Sequence, residues 1–267
     1  MRKTHLLLVL LPLLGCNHTE STPKQNETTS ITEDSTRQHR LPTNNELAQQ
    51  ISGIHTKEKM RPTQTDARKQ KILLDVPLIK QNPELKYGCE VTSLAMVLQY
   101  AKVKTDKMTL YRQVKKDPDP LVKTKGDIVR WGNPTEGFVG DMTGRRAGYA
   151  VFDQPIEKLI NDYLPGKAVN FTNKRFDDLL SHVSDGYPIV VWTTGDYRLP
   201  DRWEAWLHGK QTIKTPLDLH AVVLVGYDTT HVYINDPLSG KKQVRVNKKQ
   251  FIASWKALNS RAVSFRD

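Results

Sequence analysis

The chain has 267 residues, a formal net charge of +11 and two cysteines. Its basic residues are dispersed and not interleaved with aromatics, which argues against a base-stacking nucleic-acid surface, so no nucleic-acid partner is expected. There is no His-Glu-x-x-His, Cys-x-x-Cys or Gly-Lys-Ser/Thr motif, and His182 and His208 have no spaced ligands, so no metal, cofactor or phosphate-binding loop is expected.

In chain order, Met1-Arg2-Lys3 is a charged start and Leu6 to Leu14 an apolar run of about nine residues, too short to span a bilayer but suited to a secretory signal. Leu13-Leu14-Gly15-Cys16 resembles a bacterial lipobox, so residues 1–15 are expected to be a lipoprotein signal peptide and Cys16 to carry lipid. The alternatives are a plain signal peptide cut nearby, or a disulfide between Cys16 and Cys89. If Cys16 is lipidated, Cys89 has no partner in the chain. Residues 16–70 then form a lipidated, flexible polar tether: from 17 on they contain no Phe, Trp or Tyr and cannot bury enough apolar surface to offset chain entropy. A short helix near Leu47 to Ile54 is possible within it. From these features the protein is expected on the outer face of a bacterial cytoplasmic membrane, with the membrane as a partner through the lipid.

Residues 71–267 are long enough for one domain with a full core and hold every aromatic residue and most of the basic excess. Outside the membrane such a surface favours anionic lipid, teichoic acid or peptidoglycan. A short apolar start at 72–79 leads to the loop Gln81-Asn82-Pro83-Glu84. A helix then begins near Cys89, with Val91, Leu94, Ala95, Leu98 and Ala101 spaced as one buried face. Backbone N–H groups at a helix start favour thiolate over thiol, which makes Cys89 a plausible nucleophile.

Residues 131–148 are glycine-rich and read as a long loop. Helices are expected from Pro155 to about Leu164 and from Asn173, as N-cap, to about Asp185. A strand is expected from Tyr187 to Thr193, and the final third reads as mostly β. Its clearest signal is 220–237, two β-branched runs flanking a polar triplet, the pattern of a hairpin. With Asp228 at the tip, His220 and Asp236 face one another directly, so the carboxylate can hold one imidazole nitrogen and leave the other as a base. Trp131, Trp192, Trp203 and Trp206 read equally as cleft lining or as core.

Three segments, 81–100 with Gly88-Cys89-Glu90-Val91-Thr92-Ser93, 131–142 with Gly132-Asn133-Pro134 and Glu136-Gly137-Phe138-Val139-Gly140-Asp141, and 220–237, together resemble the exported peptidases related to bacteriocin-leader (double-glycine) cysteine peptidases. The resemblance implies a papain-like α+β fold, with the nucleophile at a helix N-terminus packed against an antiparallel sheet carrying His and Asp. It implies Cys89 as nucleophile, His220 as base, Asp236 as orienting acid and Gln81 as oxyanion-hole donor. The implied reaction is peptide-bond hydrolysis through a thioester, on a peptide or the peptide part of the envelope. Transporter-linked leader peptidases carry Cys-Gly where this chain has Cys89-Glu90, and Gln81 stands eight residues before Cys89, a longer gap than is usual. Cleavage of a double-glycine leader therefore does not follow. A non-catalytic envelope-binding domain on the same scaffold, and a transpeptidase, remain alternatives.

Overall fold

The computed structural model describes residues 69–267. The expected signal peptide, Cys16 and the tether up to residue 68 lie outside the described residues. The described helices are α1 (Cys89–Tyr100), α2 (Lys107–Gln113), α3 (Asp153–Tyr163), α4 (Phe176–Ser184) and α5 (Lys248–Ala257). The strands are β1 (Ile72–Leu73), β2 (Lys116–Asp117), β3 (Val122–Thr124), β4 (Asp127–Arg130), β5 (Phe138–Val139), β6 (Ala168–Asn170) and β7 (Ile189–Thr194). They continue with β8 (Trp203–His208), β9 (Gln211–Pro216), β10 (Leu219–Tyr227), β11 (His231–Asp236), β12 (Lys241–Asn247) and β13 (Ala262–Phe265).

An antiparallel sheet runs β12-β11-β10-β7-β13-β6, with β1 added to β10. β7 is buried throughout and β10 from His220 onward, which is why both read as unbroken β-branched runs with no polar alternation. Helix α1 packs on β10 and β7 and against α2 and α3, while α5 lies on β7, β11 and β12. The fold is therefore the expected mixed α+β arrangement around an antiparallel sheet.

Helix α1 is not the one-faced helix the apolar spacing predicts: every residue from Cys89 to Leu98 is buried, Glu90, Thr92 and Ser93 included. Two helices were not anticipated in sequence, and side chains open both: Asp106 Oδ1 accepts from Met108 and Thr109 N–H ahead of α2, and Asn247 Oδ1 from Gln250 N–H ahead of α5. Asn173 does not cap α4. It adopts a left-handed conformation at φ 64° in the turn before the helix, which starts at Phe176, with Asp178 Oδ2 accepting the Arg175 N–H at 3.0 Å.

The hairpin forms, but not in the expected register. Val223 pairs with Asn235 and Leu224 with Ile234, and after a shift Gly226 pairs with Tyr233. Asp228 N–H donates to the His231 carbonyl at 2.9 Å, so the turn centres on Thr229 and Thr230 and not on Asp228. Asp236 consequently falls level with Val222, and the direct partner of His220 is Thr193 on β7.

A smaller sheet, β3-β4-β8-β9, stands apart from the main one, and Trp131, Val139, Trp206 and Ile213 form their own apolar cluster beneath it. The glycine-rich 131–148 segment joins this cluster to the main core. It is loop except for β5, which pairs in parallel with β2, and a bridge between Gly140 and Gly148.

The turn leading into α1 leaves no room for a side chain at Gly88, where a Cβ would lie 2.5 Å from the Cβ of fully buried Leu85. Gly88→Ala is expected to destabilise the protein by about 1–3 kcal/mol, the usual cost of overpacking, read as a lower urea midpoint.

Candidate active site

Cys89, the first residue of α1, is a free thiol only 7% exposed. Its Sγ donates to Glu90 Oε2 at 3.4 Å, and Glu90 Oε1 accepts the Val151 N–H at 3.0 Å. The thiol does not gain the lowered pKa that a helix start suggests. Burial and the neighbouring Glu90 carboxylate push it well above its ordinary value, against the favourable Ala221 backbone N–H. The physical reason is magnitude: a helix terminus contributes about 0.3–2 kcal/mol to a charge, whereas removing an ionised group from water costs far more.

Glu90 is itself buried, and burial raises its carboxyl to about 7 despite backbone N–H donors at its own position and at Val151. Asp236 behaves in the opposite way. Burial again opposes ionisation, but the hydrogen bond and charge of His220, with further donors at Ser239 and the Leu238 N–H, hold it well below the usual carboxylate range. Its Oδ1 lies 2.8 Å from His220 Nε2 and accepts the Leu238 N–H at 2.8 Å; Oδ2 accepts the Tyr197 hydroxyl at 3.0 Å. His220 is 3% exposed. With Nε2 on Asp236, Nδ1 is the nitrogen left for a second partner. The next residue, Ala221, is where β10 meets α1: its N–H favours the Cys89 thiolate and its carbonyl accepts from Ser93 Oγ at 3.2 Å.

His220 and Asp236 thus meet, although the expected direct opposition does not occur. Two residues apart along the ladder and on one face, they join diagonally, within reach of an imidazole and a carboxylate.

Gln81 is 2% exposed and tied to the end of β11, its backbone N–H donating to the Pro237 carbonyl at 2.9 Å. Its side-chain Nε2 donates to the Lys86 carbonyl at 2.8 Å, while Oε1 is buried without a hydrogen-bond partner among the described residues. The loop around 141–148 clasps the same turn, with Tyr87 N–H donating to the Met142 carbonyl at 3.0 Å. Glu90 and Tyr197 are the site residues that sequence reasoning missed. Glu90 carried a signal, an acid next to the thiol in the first turn of the helix, but Tyr197 lies in an irregular loop and carried none.

The remaining histidines and the tryptophans fall elsewhere. His182 is a core residue, its Nε2 2.9 Å from Ser264 Oγ, and burial lowers its pKa to about 4. His231 is half-buried beside the hairpin turn, its Nδ1 2.8 Å from Thr230 Oγ1. Trp192 belongs to the main core and Trp131 and Trp206 to the smaller cluster, while Trp203 is 45% exposed. The absence of partners expected for His208 does not hold: Asp117, Asp119 and Glu136 all lie close to its ring.

These elements define an α+β protein with a buried thiol and an Asp-held imidazole, and the sequence profile of the Peptidase_C39 like family matches residues 73–263. The chain belongs to that family. It is 38% identical over 192 residues to the uncharacterized protein YvpB of Bacillus subtilis (strain 168), covering 71% of this chain and 74% of the relative. A crystal structure from Bacillus anthracis, of a protein provisionally described as a C39-like peptidase, is 39% identical, with a TM-score of 0.68 over 74% of this chain and 98% of that one. The interpain A cysteine protease of Prevotella intermedia is more distant, 13% identical with a TM-score of 0.39 over 74% of this chain and 95% of that one.

Because the native state holds Glu90 protonated up to about 7 from an ordinary 4.5, it binds more protons than the unfolded chain across that window. Its contribution is complete below about pH 4.5 and is lost as pH rises through about 7, a decline of up to about 3 kcal/mol. Glu90→Gln should flatten that decline in urea midpoints measured from pH 4 to 8. Parallel profiles for the two proteins would refute the assignment.

Proposed function

We propose that the protein is a cysteine peptidase that hydrolyses peptide bonds with Cys89 as nucleophile, His220 as base and Asp236 as the acid that orients it. The observation that carries this reading is the 2.8 Å contact between His220 Nε2 and Asp236 Oδ1, buried on the strand that packs on the helix opened by Cys89, in a chain of the Peptidase_C39 like family. Asp236 fixes the imidazole tautomer, so that Nδ1 takes the proton of Cys89. The sulfur forms a bond to the substrate carbonyl carbon, and His220 returns the proton to the departing amine as the C–N bond breaks. Water, deprotonated by His220, then opens the thioester and releases the acid.

The backbone N–H of Cys89 and the second Nε2 proton of Gln81 are the proposed oxyanion donors. Losing one such donor typically costs about 10²–10³ in rate. Before attack the thiol leaves Glu90 Oε2, its partner at 3.4 Å, and turns toward His220. The proposed substrate is an extracytoplasmic peptide or the peptide part of the envelope. The proposed location is the outer face of the cytoplasmic membrane, held there by lipid on Cys16 once residues 1–15 are removed and reached through the 16–70 tether. The lipobox-like Leu13-Leu14-Gly15-Cys16 and the aromatic-free polar stretch after it support that location.

One observation favours a second reading, an envelope-binding domain without catalysis: Cys89 is buried with its Sγ turned to Glu90 Oε2 at 3.4 Å, and burial and that carboxyl push its pKa up. The two readings part on thiol reactivity. In a working peptidase, the rate of Cys89 alkylation by iodoacetamide rises well below the ordinary thiol pKa of about 8.5, and His220→Ala removes that reactivity. Cys89→Ala abolishes turnover of a peptide library, and products formed with an added amine separate hydrolysis from transpeptidation. Identical alkylation profiles with and without His220, together with no library cleavage by the wild type above the Cys89→Ala background, would leave only the binding domain.

A further inference from the structure

Far from Cys89 in sequence, the loop after β2 and the end of β8 bring a second set of groups together. His208 Nε2 lies 3.3 Å from Asp117 Oδ2 and 3.4 Å from Asp119 Oδ2, and the three atoms are all within 4.8 Å of one another. Both separations exceed the usual N–H···O range of about 2.7–3.2 Å. These separations instead match the ligand–ligand edge of a tetrahedral site, about 3.4 Å for metal–ligand bonds of about 2.0–2.1 Å.

The surroundings are built in the same sense. The Asp117 side chain is only 2% exposed, and it is oriented by the Asp119 N–H on Oδ1 at 2.9 Å and the Asn133 N–H on Oδ2 at 3.1 Å. Gly132 makes space for it, since a Cβ there would lie 2.8 Å from Asp117 Oδ1. Across the imidazole ring, His208 Nδ1 is 3.6 Å from Glu136 Oε1, which accepts from Asn133 Nδ2 at 3.1 Å. At that separation Glu136 is beyond hydrogen-bond length but adds a negative charge on the far side of the ring.

We propose that Asp117, Asp119 and His208 form a binding site for a divalent transition-metal ion, with His208 Nε2 and one oxygen of each carboxylate as ligands. Zinc fits the donor set and the edge lengths; an imidazole ligand argues against calcium and magnesium, which take oxygen. Three protein ligands leave a fourth position open, and Asp117 and Asp119 also line a cleft of about 420 Å³ with Trp131, Asp141 and Arg146. The ion would fasten the loop after β2 to β8, fixing the small sheet to the segment that follows α2. No step of the proposed thiol chemistry passes through it.

The test uses the full chain in a Cys89→Ala background, so that the thiol cannot supply a ligand, stripped with chelator and titrated calorimetrically with zinc chloride alone. One zinc per chain and a raised Tm are expected. His208→Gln should abolish both. Cobalt(II) in the same protein should give the visible bands of a tetrahedral nitrogen–oxygen site. Asp119→Asn, at a half-exposed side chain, carries the test if His208→Gln does not fold. No zinc uptake, or uptake unchanged by these ligand substitutions, overturns the proposal.

Discussion

The first turn of α1 carries free backbone N–H groups, a thiol and a carboxyl into the protein interior, and each has to find a partner there. Glu90 answers part of this need by bridging the thiol and the Val151 N–H, which pins the segment before α3 to the helix start. Ser93 answers another by donating to the Ala221 carbonyl, which sets the height of α1 on β10. The neighbour of Ala221 in the chain is His220. The contact that seats the helix therefore also fixes where the imidazole stands.

Two buried carboxyls frame this region and are driven in opposite directions. Glu90 has few donors for its burial and is pushed up to about 7, whereas Asp236 receives His220, Tyr197, the Leu238 N–H and the Ser239 hydroxyl and stays ionised. Separating two acids by environment alone is how a single fold keeps one proton donor and one permanent anion at neutral pH. Asp236 is the permanent anion here and gives His220 its orientation. Glu90 holds the resting sulfur through the hydrogen bond it accepts.

The sequence made the central strands and α1 legible because their apolar runs are long, and the meeting of His220 with Asp236 because each sits at the end of such a run. It did not make the hairpin register legible. The irregularity between Leu224 and Gly226 and the Thr229-Thr230 turn are local backbone choices that shift the pairing without changing the alternation of residues. Glu90 was read past because an acid in a first helical turn is ordinarily a solvated partner of the helix dipole, and only the packing of 150–152 over it makes it a buried group. The cluster at His208 was invisible for a different reason. Its members come from β2, the loop after it, the 131–148 segment and β8, and no local spacing records that meeting.

The same glycine-rich segment also bears on the part proposed for Gln81. Its side-chain Nε2 is held by the Lys86 carbonyl, and the next residue, Tyr87, is held through its N–H by the Met142 carbonyl. A Cβ at Gly148 would lie 2.7 Å from the Tyr87 ring, and one at Gly144 2.6 Å from the Lys86 stem, so the loop fits this turn closely at two points. The direction of the Gln81 amide is thus set by the 141–148 loop as well as by the anchor of its own backbone on Pro237. A shift of that loop moves the Lys86 carbonyl, and with it the amide, while the His220–Asp236 pair stays where the sheet holds it. In the proposed chemistry, oxyanion stabilisation and proton transfer therefore rest on separate supports, the loop for one and the sheet for the other.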